Sequence, residues 1–344
     1  MKTLLKTIIM TSLVVAAALT TTQAQDLHFS QFFEAPLLRN PSLAGIFTGD
    51  IRVQGVYRDQ WNSITKAYRT GSLNAEVKMP VGTTNDFITT GIQALYDKAG
   101  TVSLTTTQVM PALNYHKSLS NEKVEFLSLG FMGGLIHKSL DVTKMTTNNQ
   151  YNGGWNPTGS TGETFAVPNF STWDASVGMS YNTTFGTDEA NTLFVGAAYH
   201  HLNKPRNSFY RDATNQLNPK YVFSAGVKWV IDDYSYFTLQ ADHSQQGTQK
   251  ETVAGGMYSI NPGQFVDDAN YVLHVGGFLR WKDAFIPVVK VDMRSISVAL
   301  SYDVNVSQLR TASQSRGGFE LSLSYIGFLD RNNSARDQVM CPKF

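Results

Sequence analysis

Three clusters of side chains in the 344-residue sequence have the residue types for chemistry. His200-His201, with His137, offers imidazole nitrogens of the kind that ligate transition metals. Successive residues of a regular strand point to opposite faces, so the pair predicts no shared ion, and no metal or cofactor is expected. Asp242-His243-Ser244 offers an acid, a base and a nucleophile, the set that a hydrolase uses. These positions also diverge across a strand, and no second acidic pair or oxyanion-forming segment accompanies them, so catalysis is not expected. Gly130 to Gly134 and Asn152-Gly153-Gly154 lack the strand, loop and helix order and the Lys of a phosphate loop, and read as barrel and loop geometry. Cys341 is the single thiol, which excludes an internal disulfide framework and a cysteine zinc site. It is either inert in a chain end or a partner for an intermolecular disulfide in an oxidising compartment.

Few elements in this sequence could position catalytic groups on a conventional soluble surface. Only 16% of residues are charged, against about 25% in an ordinary soluble domain. With 28 basic and 27 acidic side chains, the balance excludes a polybasic nucleic-acid binder and an acidic tail. Met1 to Ala24 carries Lys2 and Lys6, the apolar run Ile8 to Leu19 and then Thr22-Gln23-Ala24, the pattern of a cleaved export signal, with Gln25 as first mature residue. The run is shorter than the about 20 residues of a spanning helix, and no apolar run of about 18 follows it. Strands alone could then cross a bilayer.

Strands are what the rest predicts. Trp173, Ala175, Val177, Met179 and Tyr181 alternate with Asp174, Ser176, Gly178 and Ser180, and 296–302 and 319–325 behave alike. Fourteen such segments are expected, near 51–61, 66–79, 88–98, 101–116, 123–137, 172–182, 191–202, 219–231, 234–243, 249–259, 270–281, 283–291, 294–303 and 317–328. Most run about 9 to 14 residues, which suits the about 9 to 11 of a membrane barrel strand better than the about 5 to 6 of a globular one. The second face is mostly Ser, Gly, Thr and Ala rather than Lys and Glu, as a packed interior requires. Lys228, Arg280 and His274 are its exceptions, so a filled lumen is expected over an open channel. The apolar faces end in aromatics (Trp61, Tyr96, Trp173, Tyr181, Tyr199, Tyr221, Trp229, Tyr271, Trp281, Tyr302, Tyr325) placed as interfacial girdles. With both chain ends periplasmic, the longest connections, Ser139 to Ser171, Asn203 to Asn218 and Asn305 to Arg316, all fall on the cell surface. Ile260 to Ala269 is the one long turn on the other side. The expected fold is therefore all-β: a transmembrane antiparallel β-barrel of about 14 strands, spanning 51–328.

Ahead of the first strand stand Gln25-Asp26-Leu27-His28-Phe29-Ser30-Gln31-Phe32-Phe33 and Pro36-Leu37-Leu38-Arg39-Asn40-Pro41-Ser42-Leu43-Ala44-Gly45. This opening resembles that of the PorP/SprF family of type IX secretion system membrane proteins from Bacteroidota. Tyr57-Arg58-Asp59-Gln60-Trp61, the closing strand Arg316 to Tyr325 and the terminal Cys341-Pro342-Lys343-Phe344 resemble it too. Leu27, Ala35-Pro36 and Ser42-Leu43 depart from its usual residues without altering the spacing. The resemblance implies a non-enzymatic outer-membrane component of type IX secretion or gliding motility. It implies partners among periplasmic secretion components or lipoproteins, and a secreted adhesin or cargo protein. Which branch of the family applies stays open, and a channel or porin is the alternative, with an outer-membrane hydrolase behind it.

Read physically, Pro36 and Pro41 bias their predecessors toward extended backbone and make 25–50 an irregular leader. Its rings, Phe29, Phe32 and Phe33, are expected to be covered by the periplasmic mouth of the barrel, as a partial plug; the alternative is a docking strand for a partner or a disordered leader. Residues 329–344 form a periplasmic tail, polar from Asp330 to Asp337 and then apolar at Val339, Met340, Cys341, Pro342 and Phe344. Partner binding is expected on Phe29, Phe32, Phe33, Cys341 and Phe344, with lipid around the barrel.

Overall fold

The computed structural model describes residues 26–60, 68–82, 85–156, 158–187, 190–261, 271–307 and 313–329. Fourteen strands follow in chain order: β1 (Ile51–Gln60), β2 (Tyr68–Pro80), β3 (Phe87–Ala99), β4 (Leu104–Ser118), β5 (Glu125–Ser139), β6 (Asn169–Phe185), β7 (Asn191–His200), β8 (Lys220–Asp232), β9 (Ser235–Gln246), β10 (Gln249–Ile260), β11 (Tyr271–Arg280), β12 (Ala284–Met293), β13 (Ile296–Asn305) and β14 (Arg316–Gly327). Each pairs antiparallel with its sequence neighbours, and β14 returns to β1 with Ile51 opposite Gly327 and Gln60 opposite Gly318. No edge is left, which is what allows a sheet to sit in hydrocarbon. The fourteen expected segments all form, and their ends move by about three residues at most, the largest shifts being the extension of β6 at both ends.

Alternation decides which side each residue faces. In β5, Leu127, Leu129, Phe131 and Leu135 are exposed while Phe126, Ser128, Met132 and Ile136 are buried. Repeated around the barrel, this leaves an apolar outer wall and puts the core in the lumen. Trp173, Trp229 and Trp281 are among the most exposed large side chains, at 67%, 58% and 66%. In a soluble protein such rings would be a liability; at a bilayer interface they are the girdle. Trp61 lies outside the described residues.

The end of the barrel where β1 begins and β14 finishes is called proximal here, and the opposite end distal. The long connections, 140–168 and 201–219, are both distal. The first carries two 3-10 turns, Val142–Lys144 and Asn148–Gln150, and closes on itself through Leu140 N–H to Pro168 O at 2.9 Å.

Candidate functional site

The lumen is occupied by the chain's own residues 26–50. Compact turns punctuate this leader: 3-10 turns at Phe32–Glu34 and Pro41–Leu43 and one α-turn at Pro36–Arg39, with prolines at the starts of the last two, where no N–H is needed. The leader enters the wall at Asp50, whose N–H donates to Gly327 O at 2.9 Å, so that β1 continues directly from it.

Its polar groups are held by ionised side chains of the inner wall. Register puts Arg58 of β1 opposite Glu320 of β14, and the two lie 3.3 Å apart. Glu320 accepts the backbone N–H groups of Ser30 and Gln31 at 2.7 and 2.8 Å, while Ser30 Oγ donates to Asp303 at 2.6 Å. Asp303 is also paired with Arg58 and Arg280, at 3.2 and 3.1 Å. Deeper in, Lys290 pairs with Glu34 at 2.7 Å, and Arg39 donates to Asp242 at 2.7 Å between the rings of Phe32 and Phe194. Near the proximal end, Arg52 and Glu76, opposite each other on β1 and β2, pair at 2.8 Å. There Arg52 donates to Leu43 O and Ile46 O, and Glu76 accepts from Gly45 N–H. Charge-assisted bonds to backbone groups are the strong kind in a low-dielectric interior.

Apolar leader side chains fill separate hollows of the same wall. Phe32 and Phe33 pack with Val253, Met257, Phe278, Ile286 and Val288; Leu37 and Ala44 with Met110, Ala112 and Met132; Phe29 and Ala35 with Val56 and Leu95. Phe33 stacks on Phe278 at 5.3 Å and Phe32 meets it edge-on at 5.3 Å. At Asn40-Pro41-Ser42 the leader backbone touches the wall itself. A Cβ on Gly130 would lie 2.5 Å from the Pro41 carbonyl carbon, and one on Gly178 would lie 1.9 Å from Asn40 Oδ1. These two glycines are the sockets for the Asn-Pro signature of the leader.

Instead of stopping at the proximal mouth, the leader reaches the distal end. Twenty-odd residues at up to about 3.3 Å each are long enough for that path. Asp26 N–H donates to Gln246, at the distal end of β9, at 2.7 Å, and its carboxylate meets His201 Nε2 at 2.6 Å. His201 Nδ1 faces Asp174 at 2.9 Å. Burial opposes a charged imidazole, but Asp26 and Asp174 outweigh it and push His201 up to about 9. Burial would likewise raise Asp26, yet His201 holds it well below the usual carboxylate range. His28 lies 3.3 Å from Glu251; burial first, then Arg280 and Arg58, drive its pKa down, so a neutral ring makes that contact.

The structure departs from the sequence pattern in the charge of the lumen and at the end of β7. The inner face is not largely uncharged: Arg52, Arg58, Glu76, Lys78, Asp174, Asp242, Lys290, Asp303 and Glu320 are buried in it or line it, beside Arg280 and His274. Such charge is tolerable because the leader and facing strands pair it. His200 and His201 do not diverge, because β7 ends at His200 and His201 takes φ +59°, turning its ring inward as well. Their partners still differ, His200 binding Ser176 Oγ at 3.0 Å. His137 stands apart, against Ser171 Oγ. Asp242 and His243 do split, one to Arg39 and the other to Thr252 Oγ1 at 2.8 Å. Among the described residues no group of three or more His, Cys, Asp or Glu side chains is placed to hold a metal ion. Phe29, Phe32 and Phe33 are all inside the lumen, at most 8% exposed, whereas Cys341 and Phe344 lie outside the described residues.

A closed barrel with an apolar exterior and its own N-terminal segment packed through the lumen is a plugged transmembrane barrel of the outer-membrane type. The chain belongs to the family of type IX secretion system membrane proteins PorP/SprF, whose sequence profile matches residues 21–325. No curated protein matches it in sequence. Among solved structures it is similar to CdiB from Acinetobacter baumannii, with 8% identity and TM-score 0.46 over 80% of this chain and 60% of that one. A FadL homologue from Pseudomonas aeruginosa gives 10% identity and TM-score 0.46 over 83% and 92%. The translocator domain of the autotransporter NalP from Neisseria meningitidis gives 12% and 0.40 over 80% and 88%.

Proposed function

We propose that this chain serves type IX secretion or gliding motility as a sealed outer-membrane anchor. It would hold periplasmic secretion components or lipoproteins, or a secreted adhesin or cargo protein, without chemistry or permeation of its own. The leader's occupation of the lumen supports this reading above all else: its ends are paired at both rims and its middle is held by buried ion pairs, so the barrel is built to stay filled. Docking is assigned to the proximal, periplasmic rim. The chain leaves the wall there, with Leu329 N–H donating to Asp50 at 2.8 Å, and the tail with Cys341 and Phe344 follows. Phe29, Phe32 and Phe33 serve docking indirectly, by keeping the leader in place beneath that rim. Deleting residues 332–344 tests the assignment. Heat-modifiable barrel should persist in the outer membrane while secretion or motility fails and periplasmic partners no longer co-purify. A truncated protein that supports full function would remove the tail from the mechanism.

A further inference from the structure

We infer that the distal rim carries a binding cleft for the phosphorylated headgroup of an outer-leaflet glycolipid. The cleft, of about 630 Å³, lies between the start of β6 and the loop that follows β7. Lys204, Arg206 and Arg211 line it, and among the described residues no Asp or Glu does. None of these three side chains makes a hydrogen bond or ion pair among the described residues, although basic and acidic side chains are almost equal in number over the whole sequence. Two carboxylates of the distal loops are turned elsewhere: Glu163 accepts from the Tyr210 hydroxyl, and Asp212 caps Thr214. Three like charges in one concavity repel one another and are stabilised by an anion.

The loop is held in a shape that sets them there. Asn203 donates its side-chain amide to Trp173 O at 2.7 Å, Leu217 N–H donates to Pro205 O at 2.9 Å, and Phe170 meets Phe209 edge-on at 5.0 Å. Lys204 and Arg211 adopt φ +44° and +60°, a left-handed backbone that residues with a Cβ rarely take and that turns the chain sharply at both positions. The ring of Trp173 borders the cleft and projects outward from β6 in the girdle, so the cations stand at the depth where hydrocarbon gives way to headgroups. An anionic ligand there has an acyl surface to lie against as well as a charged pocket. A free phosphate would use the cations alone. The leaflet rests on the orientation proposed above, which surface labelling tests separately.

The experiment uses the full mature chain, purified in detergent and titrated with diphosphoryl lipid A and with its dephosphorylated form, with bound lipid read by native mass spectrometry. The wild type should prefer the diphosphoryl lipid, and Lys204→Ser/Arg206→Ser/Arg211→Ser should lose about tenfold or more of that affinity, as expected for several charge-assisted contacts. Heat-modifiability of the variant controls for folding, and all three positions are exposed. Equal binding of both lipids, or an unchanged variant, would overturn the site. Full displacement by millimolar inorganic phosphate would overturn the lipid as its source.

Discussion

His201 is the residue on which the distal end of the leader depends. Its imidazolium sits between Asp26 of the leader and Asp174 of β6, and its pKa is raised from the ordinary 6.5 to about 9. The sign of the pH dependence follows. A raised pKa contributes stability that is complete below 6.5 and gone once pH has risen through about 9. Asp26 is shifted the other way, so its share of the same pair is present above 3.8 and fails only as pH falls through a lower value. The His201 ring, followed by NMR, should therefore titrate near pH 9, and Asp26→Asn should lower that midpoint by about one unit or more. An unchanged midpoint would mean that the leader does not reach β7. A second prediction concerns the sockets. Gly178→Val places its Cβ against Asn40, and overpacking of that kind costs about 1–3 kcal/mol. Protease should then reach residues 30–45 at concentrations that spare the wild type, with the barrel still formed. Gly154→Ala, in open space in a distal loop, should change nothing.

At the scale of elements, the strands were legible because barrel alternation is local: each strand declares its faces within about ten residues. The leader's irregularity was equally plain from Pro36 and Pro41. What the pattern could not show is which inward polar residues meet. Arg58 and Glu320 come together only through closure of β14 on β1, a contact set by register between strands at opposite ends of the sequence. One pair was within reach: Arg52 and Glu76 stand at equal distances from the β1–β2 turn, and antiparallel pairing across that hairpin makes them neighbours. His201 escapes the alternation because β7 ends at His200 and the residue after it takes a left-handed turn. The same local pattern hid the charge of the lumen, since short polar residues dominate by number while the ionised ones are spaced apart. Their joint effect is to lock the leader, which gives a third prediction. The intact protein in planar bilayers should show no sustained conductance, and deletion of residues 29–43 should produce open-channel steps. A wild-type protein that conducts steadily would favour the channel reading.

For the whole molecule, orientation ties the parts together. The three longest connections expected from the sequence share the distal end, and barrels in outer membranes place such loops outside the cell. In the proposed orientation, Asp26 at the start of the described leader would stand on the surface side, because its partners Gln246 and His201 are at the distal end. Leu27, beside the Asp26 and His201 pair, remains 37% exposed at the distal mouth. In a Cys341→Ser background, which removes the single natural thiol, Leu27→Cys should react with a membrane-impermeant maleimide on intact cells. A tag inserted near Gly159 should be reached by antibody on the same cells. The two probes separate the two ideas they test. Labelling of the tag without Leu27→Cys would keep the orientation and reject the path of the leader. Labelling of either only after permeabilisation of the outer membrane, with the barrel intact, would invert the molecule and move the docking rim to the cell surface.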